Sequence, residues 1–193
     1  MTKPVLQIIV GSTRPGRVGS AVAQWFSDLA VKHDAFGVQL VELADIDLPL
    51  YDEPNHPRQG RYVHEHTKRW SQVVSAADAF VFVVPEYNHG YNAATKNALD
   101  YLNREWQGKP VGFVSYGAAA AGARAVHGLL PVVTALGMLP SGKAVTIPQI
   151  ARAVTPGGPY PGNERADEGA GALLDDLSRL TAFAAATKHP ART

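Results

Sequence analysis

Short apolar runs rich in β-branched residues alternate along this chain with segments whose apolar residues recur at helical spacing. The first run, at residues 5–10, lies between Pro4 and Gly11 and has no polar alternation, as expected of a strand buried on both faces. After a polar loop, apolar residues recur at helical spacing, at Val18, Val22, Trp25 and Leu29. A strand, a polar loop containing glycine and a helix form the start of a βα unit.

The same alternation continues to the end of the chain. It predicts four more strands, at residues 38–43, 79–84, 111–116 and 138–147. Pro85 stops the third, and residues 140–142 are a candidate interruption of the fifth. It predicts helices at residues 63–76, 92–102 and 122–136, and a last helix that carries Leu173, Leu177, Leu180 and Ala184. Residues 47–60 are predicted to be a long loop, and residues 148–163, which lack periodicity, a lid or an oligomer contact.

Five strands that alternate with helices predict a parallel sheet covered by helices on both faces, a three-layer α/β/α architecture. The 193 residues suit a single domain spanning residues 1–193. This length matches a doubly wound, flavodoxin-like strand order better than a longer dinucleotide-binding domain.

Composition narrows the range of functions. Lys and Arg number 18 and Asp and Glu 17, and this balance argues against nucleic-acid binding, which usually needs a basic surface. The chain has no cysteine, which excludes a disulfide scaffold, a cysteine nucleophile and thiolate metal sites. No apolar stretch approaches the roughly 20 residues that span a bilayer, and the first residues do not resemble a secretory signal. We therefore expect a cytoplasmic protein that binds no membrane.

Ligands of open parallel sheets bind beyond the carboxyl ends of the strands, where the strand order reverses. The loop after the first strand, residues 11–20, offers the hydroxyls of Ser12 and Thr13 and the guanidinium groups of Arg14 and Arg17. It leads into a helix N-terminus, where free N–H groups favour an anion. The loop lacks the Gly-Lys-Ser/Thr ending of a P-loop and the second glycine of Gly-x-Gly-x-x-Gly, so a phosphomonoester suits it best. An ordinary turn with a capping hydroxyl is the alternative.

The loop after the third strand, residues 85–92, combines aromatic rings, amides, a carboxylate and a glycine. Such a set can stack on a flat heteroaromatic ring and bind its edge. A polar helix entry capped by Asn88 or Asn92 is the structural alternative. The loop after the fourth strand, residues 115–122, has small residues that would let the backbone approach a planar ligand, although an alanine-rich helix start explains it equally well.

Two motifs together resemble the NADPH-dependent FMN reductase family of flavin, quinone, azo and chromate reductases. They are Gly11-Ser12-Thr13-Arg14, and Pro85-Glu86-Tyr87-Asn88 leading into Lys96-Asn97-Ala98-Leu99-Asp100. The resemblance implies a flavodoxin-like fold that binds FMN non-covalently and takes electrons from NADPH or NADH in a ping-pong reaction. The acceptor would be a small molecule: a flavin, a quinone, an azo compound or a metal oxyanion. A homodimer or homotetramer is also implied.

The resemblance further implies which residues hold the cofactor. Those expected at the FMN phosphate are Ser12, Arg14, Arg17, Val18, Gly19 and Ser20. Those expected along the isoalloxazine ring are Pro85, Glu86, Tyr87, Asn88, His89 and Gly90, with Ser115, Tyr116, Gly117 and Gly122 at its other edge. Tyr87, Asn88 and His89 are candidates for tuning the flavin, and no side chain is expected to act as acid, base or nucleophile.

The sequence departs from the family pattern at two positions of the first loop. Many members have Ser where this chain has Arg17, and Asn where it has Gly19. Arg17 therefore either adds charge at the phosphate or points to solvent. Two other functions remain open at this level: an electron carrier without nicotinamide chemistry, and a cofactor-free interaction domain.

Two further features bear on partners and metals. Trp106 and the loop at residues 47–62 are candidates for covering a partner's cleft or for the protein's own core. His56, His64 and His66 are interpreted as a solvated polar face, and no metal site is predicted.

Overall fold

The computed structural model describes residues 2–155 and 157–188. Its centre is a sheet of five parallel strands in the order β2-β1-β3-β4-β5. The strands are β1 (Val5–Val10), β2 (Gly37–Glu42), β3 (Ala79–Pro85), β4 (Pro110–Tyr116) and β5 (Leu139–Ile147). This order is the flavodoxin-like one expected from the alternation of strands and helices.

Helices connect the strands and cover both faces of the sheet. They are α1 (Gly19–His33), α2 (Leu43–Ile46), α3 (Glu65–Ser75), α4 (Ala93–Asp100), α5 (Ala123–Ala135), α6 (Ile150–Ala153) and α7 (Glu164–Lys188). A 3-10 turn at Pro57–Gln59 lies in the long loop after α2. Among the described residues, no helix is long and apolar enough to cross a membrane.

Alternate residues of each central strand enter two separate cores, because side chains point to opposite faces at successive positions. In β3, Val81 and Val83 pack with α1 and α7, whereas Phe80 and Phe82 pack with α3, α4 and α5. Every residue of β3 and of β4 is buried. The unalternating apolar runs therefore have the physical cause inferred from the sequence: both faces of the central strands are covered.

The reversal of strand order lies between β1 and β3. The chain leaves β1 towards β2 at one edge of the sheet and leaves β3 towards β4 in the other direction. The loops after β1 and β3 therefore diverge and leave a crevice at the carboxyl ends of these strands.

The sequence-based elements are confirmed with small corrections. Leu43 belongs to α2 rather than to the second strand, and Pro85 is the last residue of β3, paired with Tyr116, rather than the residue after it. The fifth strand is continuous, but its pairing with β4 shifts register between Val111 and Phe113. Three short elements were not predicted, because a single helical turn is too short to show periodicity. They are α2, α6 and the 3-10 turn. Trp106 is fully buried, so it belongs to the core.

Candidate active site

A cleft of about 300 Å³ opens at the carboxyl edge of the sheet. The predicted site residues that line it are Ser12, Arg14, Arg17, Val18, Pro85, Glu86, Tyr87, Tyr116 and Gly117. Its opposite wall, which sequence reasoning did not assign to the site, consists of Gln149, Ile150 and Ala151, next to Ala118. The cleft is therefore bounded by the loops that follow β1, β3, β4 and β5.

The loop after β1 delivers an uncapped helix N-terminus to this cleft. Val18, the residue before α1, makes no side-chain capping bond, and the first turn of α1 has no acidic residue. The first N–H groups of a helix have no partner within the helix, and the helix dipole is positive there. The buried hydroxyl of Ser12 and the exposed side chain of Arg14 lie in the same loop. Together these groups form a donor set suited to a phosphate.

Three hydroxyl-bearing side chains line the same cleft: Ser12, Tyr87 and Tyr116. The Oγ atom of Ser12 lies 2.9 Å from the hydroxyl of Tyr87. Burial raises the pKa of Tyr116 above its ordinary value of 10.0, and the nearby Ser12 hydroxyl and the charge of Arg14 only partly offset this. The Tyr116 phenol therefore keeps its proton at neutral pH and is available as a donor.

Arg17 is held in place by an ion pair rather than projecting freely into solvent. Its Nε and Nη2 atoms donate to the Oε2 atom of Glu42, at 3.1 and 3.0 Å. Glu42 is the last residue of β2, so the pair joins the loop after β1 to the neighbouring strand. The Glu42 carboxylate neutralises much of the charge that Arg17 could present to an anion, which leaves Arg14 as the exposed cation of the loop.

The segment after β3 closes into a tight turn. Tyr87 and Gly90 exchange two backbone hydrogen bonds, of 2.9 and 3.0 Å. Asn88 and His89 between them both have positive φ, 49° and 67°, the conformation of a type I′ turn. Both are exposed at the tip of the turn, beside the cleft. Such backbone geometry is costly for His and is concentrated at functional sites.

Glu86 forms an ion pair at the start of α5. Its carboxylate accepts a hydrogen bond of 2.7 Å from the Nε atom of Arg124 and one of 3.2 Å from the Arg124 backbone N–H. Glu86 therefore borders the cleft while its charge is paired, so its contribution to a ligand there is steric and through its backbone.

The loop after β4 is fixed by its own hydrogen bonds. Ser115 is fully buried and donates to the carbonyl of Ala121 at 2.9 Å, so its hydroxyl supports the loop. The carbonyls of Gly117 and Ala118 accept the N–H groups of Ile150 and Gln149, at 3.1 and 3.0 Å. These bonds join the loops after β4 and β5 into one wall. Gly122 starts α5 behind this wall.

Asn92 is a structural residue of the site that sequence reasoning weighed only as a helix cap. Its Nδ2 atom donates to the carbonyl of Gly11 at 2.6 Å, and its Oδ1 atom accepts from the hydroxyl of Thr95 at 2.8 Å. A side chain on Gly11 would collide with the Thr95 hydroxyl. The lack of a side chain at Gly11 therefore lets the loop after β1 pack closely against the start of α4.

The three histidines that were interpreted as a polar face, His56, His64 and His66, do not line the cleft. His64 and His66 stack, with ring centroids 5.1 Å apart, and His66 lies 3.0 Å from the carboxylate of Asp52. His56 accepts the N–H of Arg58 at 3.2 Å. Across residues 2–155 and 157–188, no group of three or more His, Asp or Glu side chains could hold a metal ion.

Comparison with known proteins decides the family. A model of the NADPH-dependent FMN reductase family matches residues 5–152. The chain belongs to this family. The match spans all five strands and every loop that bounds the cleft.

Individual relatives agree with this assignment. The chain is 43% identical over 121 residues to an NAD(P)H-dependent FMN reductase of Schizosaccharomyces pombe, covering 62% of this chain and 60% of the relative. It is 34% identical over 120 residues to a quinone reductase of Pseudomonas putida, covering 60% of this chain and 61% of the relative. The matched region thus spans about 60% of the length of these relatives.

The fold is shared with solved structures. The chain is similar to FerB, a flavoenzyme NAD(P)H:(acceptor) oxidoreductase of Paracoccus denitrificans, with a TM-score of 0.72 and 22% identity. That similarity covers 93% of this chain and 98% of FerB. At this identity it establishes the common architecture.

The cleft has the chemistry that FMN requires. An anion at the first end would meet the uncapped start of α1, the Ser12 hydroxyl and the Arg14 guanidinium. The other charged side chains that line the cleft, Glu86 and Arg17, already have ion-pair partners. The other end is walled by Pro85, Tyr87, Gly117 and Ile150, which offer apolar surface and close backbone approach. A phosphate at the first end and a flat ring at the second suit this division of the cleft.

Proposed function

We propose that the protein is an FMN-dependent NAD(P)H oxidoreductase that passes electrons to a small acceptor of the quinone, flavin or azo class. The observation that carries this proposal is the joining of an anion-binding helix start and a walled, partly apolar slot in one cleft, in a chain of the NADPH-dependent FMN reductase family. Membership alone leaves the substrates open, because one fold can carry several reactions.

The residues of the first loop would hold the phosphate. The α1 N–H groups, the Ser12 hydroxyl and the Arg14 guanidinium are the donors, and Asn92 fixes the loop through the carbonyl of Gly11. These contacts anchor the cofactor at the end remote from the chemistry. Anchoring at a remote group fixes the orientation of a reacting ring, which is a large part of what a protein contributes to cofactor catalysis.

The turn after β3 and the wall formed by the loops after β4 and β5 would hold the ring. Tyr87 is 41% exposed, so the slot is open to solvent on the side of the turn. When bound, FMN supplies the electron-transfer chemistry between the nicotinamide and the acceptor. The backbone N–H groups around the slot would stabilise the negative charge that accumulates on a reduced flavin.

A slot that is open to solvent on the side of Tyr87 would suit two substrates that bind in turn. The nicotinamide would leave before the acceptor enters, because both would use the same face. No protein side chain at the cleft is required as a general acid or base. Glu86, a carboxylate that lines the cleft, is paired with Arg124.

We also propose that the protein works as a homodimer or homotetramer in the cytoplasm. The oligomer is supported by exposed apolar side chains close to the cleft mouth and in the long loop after α2, among them Leu50 at 82% exposure. The cytoplasm is supported by the nicotinamide donors and by the lack of cysteine.

One experiment tests the redox proposal. The purified protein is saturated with FMN, freed of excess cofactor and titrated anaerobically with NADPH and with NADH while its absorbance is recorded. We expect a flavin band that bleaches with a nicotinamide and returns when a benzoquinone is added. A flavin band that neither nicotinamide bleaches would indicate an electron carrier. A protein that stays colourless after incubation with FMN would indicate an interaction domain.

A further inference from the structure

The side chain of Tyr116 extends from the end of β4 to the start of α1. Tyr116 is the last residue of β4 and is buried, with 4% of its surface exposed. A Cβ atom placed on Gly19, the first residue of α1, would lie 2.7 Å from the Tyr116 hydroxyl oxygen and 3.5 Å from its Cζ atom. The hydroxyl therefore fills the space that any side chain at position 19 would occupy.

The surroundings of this hydroxyl suit a negatively charged ligand. Ser12 and Arg14 line the same cleft as Tyr116, and the positive charge of Arg14 acts to lower the pKa of the Tyr116 hydroxyl. Glu42, the acidic side chain that acts on it in the opposite sense, is neutralised by its ion pair with Arg17. The first N–H groups of α1, which have no capping side chain, begin at the same point.

The hydroxyl can act only as a donor to such a ligand. Burial keeps the Tyr116 phenol protonated at neutral pH. A hydrogen bond from this hydroxyl to a phosphate would be charge-assisted and therefore stronger than one to the neutral edge of an oxidised flavin ring. The resemblance to the family had assigned Tyr116 to the ring edge, whereas the geometry assigns its hydroxyl to the phosphate end.

We propose that Tyr116 recognises the phosphate of FMN: its hydroxyl, admitted by the missing side chain at Gly19, donates a hydrogen bond to the phosphate and makes the cleft prefer FMN over riboflavin. This inference rests on the proposed function, since it needs a flavin in the cleft. It treats Gly19 and Tyr116 as a matched pair in which one residue leaves the space that the other uses.

The first test compares two ligands that differ only in the phosphate. Apoprotein is titrated with FMN and with riboflavin, and binding is followed by quenching of flavin fluorescence. In Tyr116→Phe we expect the Kd of FMN to rise about tenfold, the loss of one charge-assisted hydrogen bond, while that of riboflavin changes less than about twofold.

A matched control separates recognition from packing. Tyr160 is equally buried and belongs to the same core cluster, but its hydroxyl contacts Asn163, at 3.3 Å, rather than the first loop. Tyr160→Phe should leave the ratio of the two dissociation constants unchanged. If Tyr116→Phe weakens FMN and riboflavin equally, or changes neither, the proposal is wrong.

A second test uses the pairing itself. In Gly19→Ala the new methyl group displaces the Tyr116 hydroxyl, so FMN binding should weaken about as much as in Tyr116→Phe. In Tyr116→Phe the same methyl group meets no hydroxyl, and its closest remaining neighbour is the Cγ1 atom of Val10, at 3.2 Å. The double variant should therefore bind FMN about as well as Tyr116→Phe alone. Fully additive losses would contradict the pairing.

The wild-type protein distinguishes this proposal from the proposed function. A protein that oxidises NAD(P)H through bound flavin but binds FMN and riboflavin equally well retains the function and refutes the role of Tyr116. A protein that binds neither flavin refutes both.

Discussion

The side-chain amide of Asn92 donates a hydrogen bond of 2.6 Å to the carbonyl oxygen of Gly11, and so joins the loop after β1 to the start of α4. Asn92 is buried, with 4% of its surface exposed, and its remaining oxygen accepts from Thr95. The Asn92 amide thus joins the two loops that diverge at the reversal of strand order, together with the contact between the hydroxyls of Ser12 and Tyr87.

We expect Asn92→Leu to destabilise the protein and to weaken FMN binding together. The substitution leaves the Gly11 carbonyl and the Thr95 hydroxyl without their partner, at a cost of about 1–3 kcal/mol in the free energy of unfolding. Denaturation in urea and flavin titration measure the two effects. Asn97→Leu is the control, since Asn97 lies in α4, the helix that follows Asn92, and donates to the carbonyl of Pro49 at 2.6 Å, on another loop. Equal flavin affinity in the two variants would contradict a role for Asn92 in shaping the cleft.

Arg14→Ala should release FMN far more than it damages the fold. The side chain is exposed and belongs to the phosphate loop, so its removal should change the free energy of unfolding by less than about 0.5 kcal/mol. The Kd of FMN should rise about tenfold or more, and its dependence on salt should weaken, because one ion pair with the phosphate is lost. Arg69→Ala, at an exposed position of α3, serves as the control. Retained flavin with normal affinity would refute the phosphate assignment of Arg14.

The backbone geometry of the turn at Asn88 and His89 should determine which substitutions it tolerates. Because His89 has a φ of 67°, His89→Gly should keep or slightly increase stability, whereas His89→Val should lower it by about 1–2 kcal/mol. Thermal unfolding of the apoprotein measures both changes. We expect His89→Gly to bind FMN normally if the turn acts through its backbone. A clear loss of FMN in His89→Gly would instead assign the imidazole a direct contact.

Acid should destabilise the long loop through Glu53. Burial by itself would raise the pKa of Glu53, but hydrogen bonds from the N–H groups of Val63 and His64 outweigh it and hold the pKa below its ordinary value of 4.5. A carboxylate whose pKa is lower in the folded state stabilises the protein above its unfolded pKa, and this contribution is lost as the pH falls through the folded pKa.

Urea denaturation at several pH values, from pH 7 to values below about 4.5, tests this expectation. Glu53→Gln should be less stable than the wild type at pH 7, and the difference should shrink as the pH falls below about 4.5. Glu168→Gln, at an exposed position of α7, serves as the control. A constant deficit of Glu53→Gln at every pH would mean that its side chain stabilises the loop by packing rather than by charge.

Some site residues were predictable because their signal is local. Ser12 and Arg14 lie between an apolar run and a helical pattern. Pro85 ends the most apolar strand, and Tyr87 follows it. The ends of parallel strands fall at one edge of the sheet, so a correct strand pattern brings these residues together. Gln149 and Ile150 follow the fifth strand and could have been found by the same rule, but the proline-rich composition around them indicated only a lid or a contact surface.

The sequence by itself determined the alternation of strands and helices, the doubly wound class and the two loops that carry the family's motifs, because each depends on neighbours a few residues apart. Only the tertiary structure decided which side chains meet: Arg17 with Glu42, Glu86 with Arg124, and the Tyr116 hydroxyl with the space above Gly19. These partners are 25, 38 and 97 residues apart, as the differences 42−17, 124−86 and 116−19 show. Contacts across such separations follow from strand order and side-chain direction in the folded sheet, which periodicity along the chain does not encode.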